Sequence, residues 1–430
     1  MKSTNHDYLL KYNGYLIVKK TFLYQYEPTS VTVHNRTYLV VNNPSFKMKT
    51  YLIFLLCYHT FLHSHALEVY VHMMPWFETK ETNDGTWGQH WTMANCNPDN
   101  IIDGKQDIAS FYHPKIGPYA SGDPDVIDWQ LGVMKTAGIA GVFIDWPGTT
   151  EAYDYPKNKE NCEAIIAGTE RAGLKFAIVY EDNNLRLANV PDQTGQAIAD
   201  MEYVQSNYFP KENYVRVNDV PLLMDFGPQV VLWEQWDDVL APLDPKPTFL
   251  TLWNQHQQGG SYCEGEFAWV WVDFMQGLER WFVFFILVGI WFNFCFTFRR
   301  YTTQDVPVKI GVAYPGFQPF YTNGGWPGPG YYIDYGVDTF RQTWEMALQY
   351  TDIIQICTWN DYGEGTIVEP TDEYDTTFVD IIAEATGSKY THDDIDELTE
   401  IYFKRKQYVN NGTMLELLKN QYDALMHKYD

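Results

Sequence analysis

Residues 358–371 read TWNDYGEGTIVEPT and directly follow the apolar run DIIQIC at 352–357. A short, nearly continuous apolar run is typical of a β-strand that is buried on both faces. The stretch after it carries three carboxylates and an aromatic pair, namely Asp361, Glu364, Glu369, Trp359 and Tyr362. A surface turn needs only one or two polar residues. The pattern therefore predicts a strand of a parallel sheet whose carboxyl end builds a functional site.

Seven more apolar runs of similar length occur, and stretches with helical spacing lie between them. The eight predicted strands are 68–73, 141–146, 175–181, 221–226, 248–253, 268–273, 308–314 and 353–359. Strands that alternate with helices imply a parallel sheet with right-handed crossovers, and eight such units favour a closed (β/α)₈ TIM barrel. An open sheet would place a glycine-rich nucleotide loop after the first strand, and MMPWFETKETNDG is not one. Residues 67–390 are the predicted barrel, and 391–430 a C-terminal helical hairpin on its outside.

The composition limits the classes of partner. The 430 residues carry a formal net charge of −25, which would repel phosphate backbones, so no nucleic-acid partner is expected. Aromatic side chains make up 17% of the chain, and rings with a polar edge suit neutral, hydroxyl-rich ligands. A large aromatic core would explain the same composition equally well. The oligomeric state stays open.

The cysteines argue against a metal site. Six occur, at 57, 96, 162, 263, 295 and 357, without a CxxC pair or a histidine at zinc-ligand spacing. No metal or cofactor is therefore expected. If the chain is exported, the four cysteines outside the apolar segments have the number needed for up to two disulfides.

Two segments do not fit the barrel. Residues 48–66, MKTYLIFLLCYHTFLHSHA, have the layout of a secretory signal peptide cleaved after Ala66, which makes 1–47 an upstream extension of the gene model. A single membrane anchor at 50–66 is the alternative, although its apolar core is short. Residues 281–298, WFVFFILVGIWFNFCFTF, have the length and hydropathy of a membrane span. A span there would separate the two halves of one barrel, so an insertion such as a translated intron is favoured over a membrane-associated hairpin or buried helix.

Polar and aromatic residues recur where the predicted strands end. In barrels of this type, the carboxyl ends of the strands and the loops after them build the active site. A lone aspartate at such a place is often a helix cap and a lone histidine an ordinary loop residue, but the recurrence at most strand ends favours a site. The predicted substrate-binding residues are Trp76, Trp87, His90, Trp91, Asp145, Trp146, Glu181, Trp253, Asn254, Asp273, Tyr314, Trp359, Asn360, Tyr362 and Glu369.

Acidic residues among tryptophans, without a metal cluster, nucleophile elbow or phosphate loop, favour cleavage of glycosidic bonds. That reaction needs one protonated carboxyl for the leaving oxygen and one ionised carboxylate. Asp361 and Glu364 supply both, with Glu364 expected as general acid and Asp361 as base, and Gly363 and Gly365 are expected to let the backbone turn. A solvated acidic turn is the alternative interpretation of this pair.

The same stretch resembles the signature region of glycoside hydrolase families 71 and 99. Residues 360–364, NDYGE, are similar to the family 71 pattern and 364–370, EGTIVEP, to that of family 99. The resemblance extends over 68–405 and includes WGQHW at 87–91, GIAGVFIDW at 138–146 and YPGF at 314–317. It implies a (β/α)₈ enzyme acting on α-linked glucans or mannans.

Position 361 departs from the family 99 pattern. The resemblance implies a glutamate there, which deprotonates the 2-hydroxyl of the sugar, and an acid that later acts as base at the position of Glu364. Asp361 is shorter by one C–C bond, roughly 1.5 Å, which leaves room for a water and favours the inverting route that family 71 implies. Tyr362 and Gly363 also stand where family 99 has Trp and His, so an α-glucanase and an endo-α-1,2-mannosidase both stay open.

The sequence thus predicts a secreted, endo-acting glycoside hydrolase whose partner is an α-linked polysaccharide or oligosaccharide. Two alternatives belong to other classes. A non-catalytic sugar-binding barrel would keep the tryptophans and bind without turnover. A membrane-associated enzyme similar to endo-α-mannosidases requires 281–298 to be a genuine span, which is also the condition for any membrane partner.

Overall fold

A computed structural model of the chain describes residues 67–270 and 306–430 fully, together with the backbone of four short strands before them. The chain divides into two units, Met1–Ser64 and His65–Asp430. In the first unit, the described strands form two antiparallel hairpins, Tyr8–Tyr12 with Tyr15–Lys19 and Thr29–Val33 with Arg36–Val40. The predicted signal peptide at 48–66, the apolar run at 281–298 and Asp273 lie outside the described residues.

The second unit contains eight parallel strands that form a closed barrel. In chain order they are β1 Glu68–Met73, β2 Gly141–Trp146, β3 Lys175–Tyr180, β4 Val220–Asp225, β5 Thr248–Leu252, β6 Cys263–Phe267, β7 Val308–Ala313 and β8 Ile353–Ile356. Each strand pairs with the next, and β8 pairs with β1 through Ile353 opposite Glu68. The predicted TIM barrel is confirmed.

The sixth strand lies earlier than the sequence predicted. The run at 268–273 was expected to form it because it is one of the short apolar, β-branched-rich runs that are typical of strands. The structure instead pairs Cys263–Phe267 with β5 and β7. A side chain at Gly265 would meet the Val308 carbonyl oxygen at 2.0 Å, so a glycine is needed where these two strands approach closely.

Helices cover the outside of the barrel. They are α1 Pro124–Thr136, α2 Tyr155–Ala172, α3 Gln193–Asn207, α4 Glu234–Leu240, α5 Val337–Ala347, α6 Thr377–Thr386, α7 His392–Gln407 and α8 Gly412–His427. The first begins where the Asp123 carboxylate accepts the Asp125 N–H and Pro124 sets the first turn. The second ends at Gly173, whose φ of 70° is left-handed.

Shorter elements lie within the connections. They are the helical turns Gln89–Thr92, Asn183–Leu187 and His256–Gly259, the strand pair Ile101–Ile102 and Lys105–Gln106, and Arg216–Val217 antiparallel to β4. The connection from β1 to α1 is the longest of the described βα loops, and it folds over the carboxyl ends of the strands.

The strand register decides which side chains face the barrel interior. Trp146 lies beside Tyr180 across β2 and β3, and its ring stacks on Tyr203 of α3, so this pair faces the helices. Successive side chains of a strand point to opposite faces. Asp145 therefore faces the interior at the carboxyl end of β2.

The two C-terminal helices pack on α1. The Trp129 indole N–H donates to the Thr399 hydroxyl at 3.1 Å, and Arg405 pairs with Asp128 at 2.8 Å. Apolar residues of α7 such as Ile395 and Leu398 are buried against this helix. Within the described residues, none of the helices combines the length and the hydropathy that crossing a bilayer requires.

Candidate active site

Asp361 and Glu364 lie in the loop that follows β8, at the mouth of the barrel. The backbone N–H of Asp361 donates to the Thr358 hydroxyl at 2.8 Å, and the N–H of Glu364 donates to the Asp361 carboxylate at 2.8 Å. Gly365 has a φ of 61°, and a side chain there would meet the Gln318 carbonyl oxygen at 2.6 Å. The expected need for glycine therefore applies to Gly365, whereas Gly363 does not adopt the left-handed conformation.

The two carboxyls differ in proton affinity. Burial raises the pKa of Asp361 to about 6, while the N–H groups of Glu364 and Gly363 oppose that rise. Burial, followed by the charge of Asp361, raises the pKa of Glu364 to about 8. Near neutral pH, the longer side chain holds a proton and the shorter one has lost it. This difference agrees with Glu364 as acid and Asp361 as base.

Two further carboxyls from neighbouring strands face the same space. Burial and then the charges of Asp182 and Asp361 raise the pKa of Glu181 to about 7. Burial, Glu181 and Asp361 raise the pKa of Asp145 well above its usual range. We call Asp145, Glu181, Asp361 and Glu364 the acidic cluster. Among the described residues, no lysine or arginine forms an ion pair with any of the four.

Aromatic side chains from two loops continue outward from Glu364. The Tyr321 hydroxyl donates to the Glu364 carboxyl at 3.3 Å, and the Tyr321 ring lies 6.3 Å from that of Trp326 at 18°. Trp326 meets His90 edge-on at 6.3 Å, and His90 stacks on Trp76 at 4.4 Å. We call Tyr321, Trp326, His90 and Trp76 the aromatic wall. Sequence reasoning missed Tyr321 and Trp326, although the stretch YTNGGWPGPG at 321–330 after β7 was a signal for them.

Phe226 and Trp269, at the ends of β4 and β6, form a second aromatic surface inside the barrel mouth. Their rings meet edge-on at 4.7 Å, and both side chains are half-buried. Trp269 also meets the ring of His72 at 4.7 Å. Burial lowers the pKa of His72 to about 3, so this histidine is neutral. Sequence reasoning missed Trp269 because it assigned that residue to the interior of a strand.

Four predicted aromatic residues are placed in the core and not in the cleft. Trp91, Trp146, Trp359 and Tyr362 are all completely buried. The indole N–H of Trp91 donates to the Tyr119 carbonyl at 2.8 Å, and Trp146 faces the helices. Complete burial does not fit contact with a sugar. The sequence could not show this, because residues that pack beside the strand ends give the same sequence pattern as residues that line the cleft.

The remaining predicted residues have varied places. The Trp87 indole N–H donates to Asp99 at 3.0 Å within the β1–α1 loop. Trp253 is half-buried after β5, and Asn254 beside it is exposed with a φ of 63°. Tyr314 is buried, and its backbone N–H donates to the Thr343 hydroxyl of α5 at 3.0 Å.

Asn360 and Glu369 are buried and fully engaged with protein groups. The Asn360 amide oxygen accepts the Met74 N–H at 2.8 Å, and its amide nitrogen donates to the Met74 carbonyl at 3.0 Å. The Glu369 carboxylate accepts four hydrogen bonds from other side chains. The polar atoms of both side chains are therefore bonded to other parts of the protein.

The described residues provide neither a metal site nor a disulfide. Within 67–270 and 306–430, no group of three or more His, Cys, Asp or Glu side chains is arranged to hold a metal ion. Cys96, Cys162, Cys263 and Cys357 are free thiols. The disulfides that the cysteine count allowed are not formed among these four.

Comparison with known proteins supports the same chemistry. The chain is 22% identical over 344 residues to a glycoprotein endo-alpha-1,2-mannosidase-like protein of Danio rerio, covering 71% of this chain and 72% of the relative. A glycoprotein endo-alpha-1,2-mannosidase of Xenopus laevis is 26% identical over 91 residues, 20% of each chain. The GH99 endo-alpha-mannosidase of Bacteroides thetaiotaomicron superposes with a TM-score of 0.54 at 14% identity, covering 75% of this chain and 99% of that one. The chain is therefore similar in sequence to an endo-alpha-1,2-mannosidase-like protein and in fold to a GH99 endo-alpha-mannosidase.

This relationship confirms the resemblance that the sequence indicated. A glycoside hydrolase-like protein also superposes, with a TM-score of 0.52 at 13% identity, covering 76% of this chain and 95% of that one. No family model matches the chain. The predicted enzyme class, glycoside hydrolase, is the class of the named enzymes among these similar proteins.

Proposed function

We propose that the chain is an endo-acting glycoside hydrolase that cleaves α-linked mannan or glucan chains. The observation that carries the proposal is the pair Asp361 and Glu364, held in one loop at the barrel mouth with pKa values of about 6 and about 8. A protonated and an ionised carboxyl in one cleft are what hydrolysis of a glycosidic bond requires.

Each carboxyl has a defined role in this mechanism. Glu364 donates its proton to the glycosidic oxygen as the bond to the leaving sugar breaks, and the Tyr321 hydroxyl orients that carboxyl. Asp361 is ionised and held by the N–H of Glu364, and it removes a proton from the attacking water. The short side chain leaves room for that water, so we propose inversion at the anomeric carbon.

The surroundings favour a neutral oligosaccharide as substrate. The acidic cluster has no paired cation among the described residues, so it would repel a phosphorylated or uronic acid substrate. The aromatic wall and the Phe226–Trp269 surface offer ring faces for the apolar faces of sugars. The names of the relatives favour an α-mannosidic linkage, and the family 71 resemblance keeps an α-glucan as the second candidate.

The segments outside the described residues enter the proposal through the sequence alone. We propose that 48–66 directs the chain into the secretory pathway, that 1–47 is an upstream extension, and that 281–298 is an insertion foreign to the barrel. Sequencing the transcript across residue 281 and determining the N-terminus of the secreted protein test these points. An intact peptide from 1–47 in the native protein would contradict the second one.

The activity is tested by the release of reducing ends from α-mannan and α-1,3-glucan oligosaccharides. Turnover on one panel, with products from inside the chain, is the expected result. Calorimetry with the same oligosaccharides separates the alternative, because a non-catalytic sugar-binding barrel would show heat of binding and no products. The configuration of the first product, followed by NMR, distinguishes inversion from retention.

A further inference from the structure

Glu369 occupies an unusual place in the loop that carries Asp361 and Glu364. Its side chain is 2% exposed. Each of its two carboxylate oxygens accepts two hydrogen bonds. One oxygen accepts from the Gln130 amide at 2.6 Å and the Trp359 indole at 3.0 Å. The other accepts from the hydroxyls of Tyr362 at 2.6 Å and Tyr119 at 3.0 Å. These donors occupy the lone pairs that a substrate hydroxyl would need.

Two of the four donors, Trp359 and Tyr362, lie close to Asp361 in the chain. Trp359 and Tyr362 flank it and bond Glu369 directly. Asn360 is connected through Tyr119, because the Asn360 amide donates to the Tyr119 hydroxyl at 3.1 Å. Three of the four positions from 359 to 362 are therefore tied to one carboxylate, and Asp361 is the position left to face the cleft.

The loop is also fixed on its opposite side. Asn360 forms two hydrogen bonds to the backbone of Met74 at the end of β1, and the Glu369 N–H donates to the Trp359 carbonyl at 3.0 Å. The backbone hydrogen bond closes the segment from 359 to 369, and the Glu369 carboxylate bonds two further side chains of that segment, those of Trp359 and Tyr362. A misplacement of roughly 1 Å in a catalytic group can cost about a hundredfold in rate.

We propose that Glu369 is a positioning residue, which holds the 358–369 loop so that Asp361 and Glu364 point into the acidic cluster without itself touching the substrate. The inference rests on the proposed function and replaces the sequence-based expectation that Glu369 binds the sugar. The chain supplies a matched control for it. Asp200 is also completely buried, and it accepts from the Thr149 N–H and hydroxyl, the Gln196 amide and the Tyr180 hydroxyl, but it lies outside this loop.

The test compares Glu369→Gln with Asp200→Asn in the full-length protein. Each variant keeps the shape of its side chain and disturbs one buried network with four donors. We expect Glu369→Gln to lower kcat by about tenfold to a hundredfold with KM within about threefold, because the reacting groups move while the sugar contacts remain. Asp200→Asn is expected to keep kcat within about twofold, even if its melting temperature falls as much as that of Glu369→Gln. Tyr362→Phe, which removes a single bond, serves as a milder second variant with a smaller loss of kcat.

Hydrogen exchange supplies a readout that does not depend on turnover. The N–H groups of Glu364 and Gly365 donate to the side chain and backbone oxygens of Asp361, so their exchange should accelerate in Glu369→Gln and not in Asp200→Asn. If the wild type turns over and both variants lose kcat equally, or Glu369→Gln loses none, the positioning role is overturned. If the wild type cleaves no substrate, the proposed function fails, and unchanged exchange at Glu364 and Gly365 in Glu369→Gln would separately overturn the positioning role.

Discussion

Glu364 and Glu369 lie five residues apart in one loop, yet their surroundings differ sharply. The Glu364 side chain is half-buried and accepts one long hydrogen bond, from Tyr321 at 3.3 Å. Glu369 is buried and accepts four. Burial raises the pKa of both carboxyls, to about 8 and about 7, but at Glu369 four donors oppose the rise whereas at Glu364 the charge of Asp361 adds to it.

The difference separates reactive from structural acids within one motif. A carboxyl whose lone pairs are satisfied by the protein contributes to stability, and its removal leaves buried donors unpaired. A carboxyl held among other acids with few donors is costly to ionise and keeps a proton that it can give away. Asp145 and Glu181 share the second kind of environment, and Asp200 shares the first.

The largest effect is expected from the two carboxyls that we propose to react with the substrate. Asp361→Asn and Glu364→Gln should each lower kcat by about a thousandfold, within the range typical for loss of a general acid or base. The assay is the release of reducing ends from the better of the two oligosaccharide panels. Asp375→Asn, an exposed acid paired with Lys115, is the control and should stay near wild type. Full activity of Asp361→Asn or of Glu364→Gln would contradict the catalytic role proposed for that residue.

The pH dependence follows from the same pair. The proposed mechanism requires an ionised Asp361 and a protonated Glu364, so kcat/KM should rise as pH increases through about 6 and fall as it passes about 8. Outside this window the rate should drop by about tenfold per pH unit. Because the carboxyls interact, the two apparent values belong to the cluster as a whole. A single optimum near pH 4 would contradict the arrangement.

Glu181→Gln should shift one side of that profile. The charge of Glu181 contributes to the raised pKa of Glu364, so its removal should move the alkaline limb to lower pH by less than about one unit. The position of the limb is the measurement, since the height of the profile also responds to lost substrate contacts. Glu170→Gln, on the exposed surface of α2, is the matched control. If the alkaline limb stays at the same pH, the charge of Glu181 does not affect the pKa of Glu364.

The smallest effect concerns stability, and here the two kinds of acid should respond oppositely. Folding holds a proton on Glu364 that the unfolded chain loses above its usual pKa of 4.5, so this group lowers stability as pH rises from there to about 8. Glu364→Gln should therefore melt about 2–4 °C above wild type at pH 8, and Asp200→Asn below it. The gain should shrink towards pH 4.5. A melting temperature of Glu364→Gln below that of the wild type at pH 8 would contradict the expected difference between Glu364 and Asp200.

The sequence predicted what is periodic or local in the chain. Seven of the eight strands were placed correctly because buried parallel strands are nearly continuous apolar runs. Asp361 and Glu364 could be proposed as an acid–base pair because they are three residues apart in one loop. The sixth strand was misplaced because Gly265 is required by a contact with Val308 that no local pattern shows.

The rest of the site depends on contacts between distant parts of the chain. Tyr321 reaches Glu364 across 43 residues. The stretch at 321–330 marks an aromatic loop after β7, but it does not specify Glu364 as the partner. Trp146 was assigned to the cleft and faces the helices, because a shift of one residue along a strand reverses the direction of a side chain. The function of Glu369 follows from its four donors, two of which lie more than 200 residues away.

The clamp between Asn360 and Met74 joins the last strand to the first across a separation of 286 residues. During synthesis, the N-terminal edge of the barrel must wait for almost the entire chain before this contact can form. Partly made or C-terminally truncated chains would therefore lack a formed acid pair, whatever native structure they contain. Glycosidase activity would then appear only after the barrel has closed between β8 and β1, and an enzymatic assay would report that closure.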